Sequence, residues 1–394
     1  MKHRGVWALL CLLLAAALLA GCGGMSASES EAHVTETVGA EQTDDGNGEK
    51  QDFDEDDLNS AYSASSSTVI QLSGSTASIS GGGAAISGNT VTITRRGTYI
   101  LSGDFNGSVM VDAADALVRL VLENVSVQSS DGPAIWVKAA DKTVLILPAE
   151  TTNTLKDTED YTATGDDAPS AALYSQEDLT INGSGTLEIN ANYNDAVTSE
   201  DDLKITDATL SVTSVGDGLI GRDLLALQRC TVNITCDGDG MKTTYDTDTQ
   251  KGQARLYSGS YTIVAGADGI QSANTLTISD GFYEIHTGGG SINSSTASNV
   301  GQFGGFGVWR QNSAETEDGQ SAKGLRATQG IQVTAGEYML DCSDDAVHSN
   351  GYIKISGGSF EISSGDDGIH ADSSLEISDG VIQIFQSYEG LESA

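Results

Sequence analysis

From Asp195 onward, apolar and polar positions alternate in short stretches that recur at fixed offsets. Alignment on an acidic position gives Asp195, Asp217 and Asp239, each 22 residues after the last. Asp268 follows after 29 residues and Lys323 after a further 55, and the 22-residue step resumes through Asp345, Asp367 and Glu389. Two residues past each of these stands an apolar side chain: Val197, Leu219, Met241, Ile270, Leu325, Val347, Ile369 and Leu391. Apolar pairs follow further on, such as Leu203/Ile205 and Ile353/Ile355, then Leu210/Val212 and Phe360/Ile362. Alternation with period two over a few residues marks a strand with one buried face. Each unit holds three such stretches and leaves no room for a crossover helix. The pattern predicts an all-β fold, a parallel β-helix solenoid with about 22 residues per rung and aliphatic ladders inside. A propeller would need about 40 residues per blade. No proline follows Pro169, which suits uninterrupted strand pairing.

Upstream, Thr68 to about Asp167 is also strand-rich but less regular, with segments such as GTYILSGDF and VRLVLENVSV. These read as early, atypical rungs of the same solenoid. The expected domain therefore spans residues 68–394. Its last acid, Glu389, stands five residues before the end, so the final rung is expected to be incomplete. Residues 23–67 carry Ser, Glu, Asp, Gly and Thr with few apolar side chains, and are expected to be a disordered acidic linker. Residues 1–22 combine Lys2 and Arg4 with an apolar run from Trp7 to Ala20, too short for an ordinary membrane span. The run ends in Leu19-Ala20-Gly21-Cys22, which resembles a bacterial lipobox with Cys22 as the lipidated residue. Export, and a lipid anchor on the outer side of the bacterial cell membrane, follow as expectations.

Charge changes the picture next. The formal net charge is −37, which excludes nucleic acid as a natural partner and favours cations. Stacked rungs would lie about 4.8 Å apart, so the recurring acids would form a column of like charges. At that spacing the repulsion is several kcal/mol at an effective dielectric near 20. Shared Ca²⁺ would relieve it. The candidate ligands are Asp195, Asp217, Asp237, Asp239, Asp268, Asp344, Asp345, Asp366, Asp367 and Glu389. The alternative is that Asp-Gly pairs only form turns and the carboxylates face solvent. Soft metals are not expected, because the cysteines and histidines lack ligand spacing in sequence. Cys230, Cys236 and Cys342 read as buried free thiols.

The strings SAKGLRA, SDDAVHSNGYIKISGG, SGDDGIHAD and SYEGLES, with GTYILSGDFNG, VRLVLENVSV and ETTNTL upstream, resemble a family of secreted bacterial carbohydrate-binding proteins whose fold is like that of polysaccharide lyases. The resemblance runs from about Thr68 to the end. It implies a right-handed parallel β-helix, bound calcium, and binding of cellulose or acidic pectic chains.

Lys323 stands where other rungs carry an acid. In a calcium-dependent lyase a lysine removes the proton α to a uronate carboxylate, so Lys323 is the candidate base should the protein be an enzyme. The alternative, favoured because acidic neighbours would raise its pKa, is that Lys323 neutralises the column. His348 and His370 share one offset and are expected to stack. Arg326 is a candidate for a uronate carboxylate. Phe303, Phe306 and Trp309, in the insertion GQFGGFGVWRQ, are candidates for stacking on sugar rings. Trp136 and Tyr193 read as core or ladder residues. Three functions remain open: a monomeric surface polysaccharide-binding protein, a polysaccharide lyase, and a protein-binding adhesin or scaffold.

Overall fold

The computed structural model describes residues 52–165, 168–294 and 322–394. Among these residues the strands form one sheet of 22 and another of 13. Nearly all neighbours are parallel. The exceptions are two hairpins at the N-terminal end, Thr68–Gly74 with Thr76–Ser80 and Ala84–Ser87 with Thr90–Ile93. These hairpins are the atypical units that the irregular spacing there predicts.

The registers join the positions aligned by pattern. In the smaller sheet Val197 pairs with Leu219, Leu219 with Met241, Met241 with Ile270, and Ile270 with Leu325. Leu325 continues to Val347, Ile369 and Leu391. In the larger sheet Leu203 pairs with Leu225, and Leu210 with Val232. The registers stay intact across the longer intervals after Asp239 and Asp268. All these apolar side chains except Leu391, which is exposed, are buried in one continuous core.

One ladder inside is aromatic. Tyr261, Tyr283, Tyr338 and Phe360 stack nearly face to face with centroids 4.8, 4.9 and 4.2 Å apart. Each tyrosine hydroxyl donates to a turn carbonyl three residues earlier, of Ser258, Asp280 and Ala335. Burial of the rings therefore strands no polar atom. Cys230, Cys236 and Cys342 are buried free thiols.

The Asp-Gly pairs have a reason beyond turn chemistry. A Cβ on Gly218 would lie 2.4 Å from the carbonyl oxygen of Gly240, and one on Gly240 2.6 Å from that of Gly269. Backbone stacks on backbone there, and a side chain would push the coils apart.

The expected disordered linker is a correction. The expected signal segment, Cys22 and the expected linker up to residue 51 lie outside the described residues, but Asp52–Ser67 is ordered against the outer face of the larger sheet. Asp54 caps a short helix, Glu55–Leu58, through a capping box with Asp57. Phe53 is buried and meets Tyr257 edge-on. Arg255 and Tyr257 hold Asp52. Asp57 is fully buried and accepts from Lys142 at 2.9 Å and Thr180 at 2.6 Å. Low hydrophobicity averaged over the segment concealed that its carboxylates match a row of outward cations.

Candidate functional site: an acidic column and its counter-charges

Each recurring acid opens a strand of the smaller sheet or the turn before it, so the parallel register stacks them. One carboxylate oxygen of each is spent on the next coil. Asp195 Oδ1 accepts the Asp217 N–H at 2.9 Å, Asp217 Oδ1 that of Asp239 at 2.7 Å, and Asp239 Oδ1 that of Asp268 at 2.8 Å. Asp268 accepts the Lys323 N–H at 2.8 Å, Asp345 that of Asp367 at 2.9 Å, and Asp367 that of Glu389 at 3.1 Å. This is a charge-assisted ladder. It is the function of the 22-residue acid spacing that sequence reasoning missed.

The second oxygens face a parallel row of outward side chains: Lys242, Gln271, Arg326, His348, His370 and Glu392, paired in that order. Lys242 Nζ lies 3.2 Å from Asp217 and 2.8 Å from Asp239. Arg326 donates to Asp268 at 3.0 Å. Lys323 Nζ, reaching from the column itself, lies 2.7 Å from Asp344 and 3.1 Å from Asp345. His348 Nδ1 lies 2.8 Å from Asp345. Much of the expected like-charge repulsion is thus met by the chain's own cations.

Burial and neighbouring charge set the protonation. Burial, aided by the charge of Asp217, pushes Asp195 up to about 6. Burial, the Glu392 carboxyl and the charges of Asp345 and Asp366 push Asp367 up to about 8. Burial would raise Asp345 as well, but the His348 hydrogen bond and the Lys323 charge hold it well below the usual range. Burial alone would lower Lys323; Asp345 and Asp344 outweigh it and raise the ammonium above its ordinary value. Lys323 is therefore held protonated, the wrong state for a base and the right one for a counter-charge.

The expected calcium ligands do not behave alike, and Asp367 groups only with His370 and Glu392. Asp344, Asp345 and Asp366 each offer an oxygen within 4.8 Å of the others. That donor chemistry fits a hard cation. Asp195, Asp217, Asp239 and Asp268 form no such group among the described residues, and Asp237 and Glu389 are exposed and belong to none. Arg326, expected to meet a uronate, is committed to Asp268. Phe303, Phe306 and Trp309 lie outside the described residues.

Of two further aromatics, Trp136 takes a ladder position as expected and Tyr193 does not. Tyr193 is 39% exposed, and its ring stacks on Tyr161 at 4.0 Å. Trp136 sits in the outward row, between Met110 and Tyr174. The period-two rule assigns neither Tyr161 nor Tyr193 to an outer surface, because both lie in the turns.

Comparison with known proteins follows this geometry. A family model described as carbohydrate-binding domain-containing protein matches residues 87–368 and 349–393. A carbohydrate-binding domain-containing protein of Acetivibrio thermocellus is 29% identical over 216 residues, 54% of this chain and 76% of that protein. The solved polysaccharide lyase-like protein from C. thermocellum, a gadolinium derivative, superposes with a TM-score of 0.53 at 29% identity, covering 57% of this chain and 92% of that one. With the family model spanning most of the stacked strands, the chain belongs to the carbohydrate-binding domain-containing protein family.

Proposed function

We propose that this chain is a non-catalytic, calcium-dependent polysaccharide-binding protein held at the outer face of a bacterial membrane through a lipid on Cys22. The observation that carries the reading is the family match running along the solenoid. The coil is right-handed, as the resemblance implies, with about 22 residues per turn, which the pairing intervals support. The glycans are cellulose or acidic pectic chains, and the exposed ring of Tyr193, backed by the buried Tyr161, is a natural platform for a pyranose face. Calcium is held by Asp344, Asp345 and Asp366, the set whose oxygens converge. When bound it supplies positive charge at the acidic face, where a uronate carboxylate would otherwise be repelled. The solved neighbour is described as a gadolinium derivative, and lanthanide ions favour the same oxygen donors. The protonated state of Lys323 favours binding over β-elimination.

The test is a pull-down of the full chain on insoluble cellulose and on pectin, with and without EGTA. Retention on either that chelation abolishes supports the proposal. Retention on neither overturns it and turns attention to a protein partner, and release of unsaturated uronate product near 235 nm overturns the non-catalytic assignment.

A further inference from the structure

Sequence spacing puts His348 and His370 far apart, but the coil brings their rings to a centroid distance of 5.0 Å, edge to face. Their strands, Val347–Ser349 and Ile369–Ala371, are adjacent, and His348 pairs directly with His370. Asp345 and Asp367 stand three residues before them on the acidic column. One ligand atom each from Asp345, His348 and His370 lies within 4.8 Å of the other two, and the same holds for Asp367, His370 and Glu392. His370 is the corner shared by both groups.

The carboxylates around His370 make this corner unusual. Its Nε2 lies 3.3 Å from Asp372 Oδ1. A ring that donates there leaves Nδ1 as a lone pair. Nδ1 then faces three carboxylate oxygens: Asp367 at 3.4 Å, Glu392 at 3.7 Å and Asp345 at 3.9 Å. Acceptors aimed at an acceptor need a cation between them. The separations exceed the roughly 2.7–2.9 Å of a charge-assisted hydrogen bond. They start at the edge of about 3.4 Å expected between ligands at bonds of about 2.0–2.1 Å around a tetrahedral ion and exceed it by up to about 0.5 Å. Asp372 on the far nitrogen is the carboxylate that metal-ligating histidines commonly carry. His348 is 5% exposed and Asp345 3%, so the floor of the site is dry, while His370 is open enough for an ion to enter.

We propose that His348, His370, Asp345 and Asp367 form a binding site for a borderline first-row divalent ion of the Zn²⁺ class, tying together two adjacent coils. The imidazoles distinguish it from a calcium site, since Ca²⁺ takes oxygen donors. Asp345 belongs to both this group and the all-oxygen group of Asp344 and Asp366. Lys323, 3.1 Å from Asp345 Oδ2, supports that carboxylate from behind. The site does not depend on the carbohydrate-binding reading.

The test titrates Co²⁺ and Zn²⁺ into the metal-stripped full chain in millimolar Ca²⁺. The wild type should take up one equivalent of Co²⁺ with visible d–d absorption, and Zn²⁺ should bleach that signal. His348→Gln/His370→Gln should lose it, and Asp372→Asn should weaken uptake about 10–100-fold, as loss of an outer partner does. Circular dichroism checks that the variants remain folded. Uptake unchanged in the double variant, displacement by Ca²⁺ alone, or absence of uptake would each overturn the proposal; the last would assign His370 a proton instead of a metal. Glycan pull-down of the same double variant separates the two readings: retained binding with lost Co²⁺ uptake leaves the carbohydrate assignment standing.

Discussion

Asp57→Ala is the sharpest probe of how the acidic N-terminal segment is held. Its carboxylate is wholly buried between Lys142 at 2.9 Å, Lys204 at 3.5 Å and the Thr180 hydroxyl at 2.6 Å. Asn182 also donates to its carbonyl oxygen at 2.9 Å. Removing one member of a buried pair costs about 3–5 kcal/mol when the remaining charge has no escape. Here escape exists: the segment can lift away and let Lys142 and Lys204 meet water. The loss is therefore capped by the docking free energy of the segment, and the coil beneath should survive. We expect local opening to become easier by about 3 kcal/mol, or roughly 100-fold. A protease that cuts after acidic residues, acting at Asp54–Asp56 in the regime of rapid reclosing, should cleave the variant faster by that factor. Lys142→Met alone should also accelerate cleavage, and the double variant should show coupling of at least about 2 kcal/mol. Cleavage of Asp57→Ala within threefold of wild type, or coupling under about 0.5 kcal/mol, would refute the docked arrangement.

Asp195→Asn keeps an acceptor for the Asp217 N–H and removes a buried charge. With a folded pKa of about 6 against about 3.9 unfolded, the native state holds the extra proton in that window, so wild-type stability falls as pH rises from 4 to 6. In EGTA the variant should flatten that slope in denaturant titrations and gain up to about 3 kcal/mol at pH 7.5, whereas a loss there would mean the charge is favourably paired. Tyr283→Ala should cost about 3–5 kcal/mol by opening the aromatic stack, and Tyr283→Phe about 1 kcal/mol for one turn hydrogen bond; equal losses in thermal melts would contradict the stacking account. Lys323→Met should destabilise the chain in EGTA and recover in millimolar Ca²⁺, because the ion replaces the ammonium between Asp344 and Asp345; no recovery would count against calcium there.

The coil was readable from sequence because its core obeys two simple periods at once. Alternation named the buried face of each stretch, and the recurring interval named which stretches stack, so Val197, Leu219 and Met241 fell into one ladder before any coordinates. The acidic column was readable for the same reason, but its chemistry was not. Like charges at one offset invite an outside cation, yet the register also sets Lys242 and Arg326 three residues further along on the same face, and spends one oxygen of each aspartate on a neighbouring amide. Neither fact is visible until strand length and outward direction are known. The docked N-terminal segment escaped notice because composition averages over residues, whereas docking depends on a few, among them Asp52 and Asp57, meeting Arg255 and Lys142 some 85 to 203 positions away. His348 and His370 were placed side by side as a solvent-facing ladder, whereas they meet edge to face with His348 buried, and they were dismissed as ligands on the ground of sequence spacing. A solenoid overturns that ground. Residues one coil apart in sequence are nearest neighbours in space, so in such a fold ligand spacing must be counted in turns of the coil, not in residues along a strand or helix.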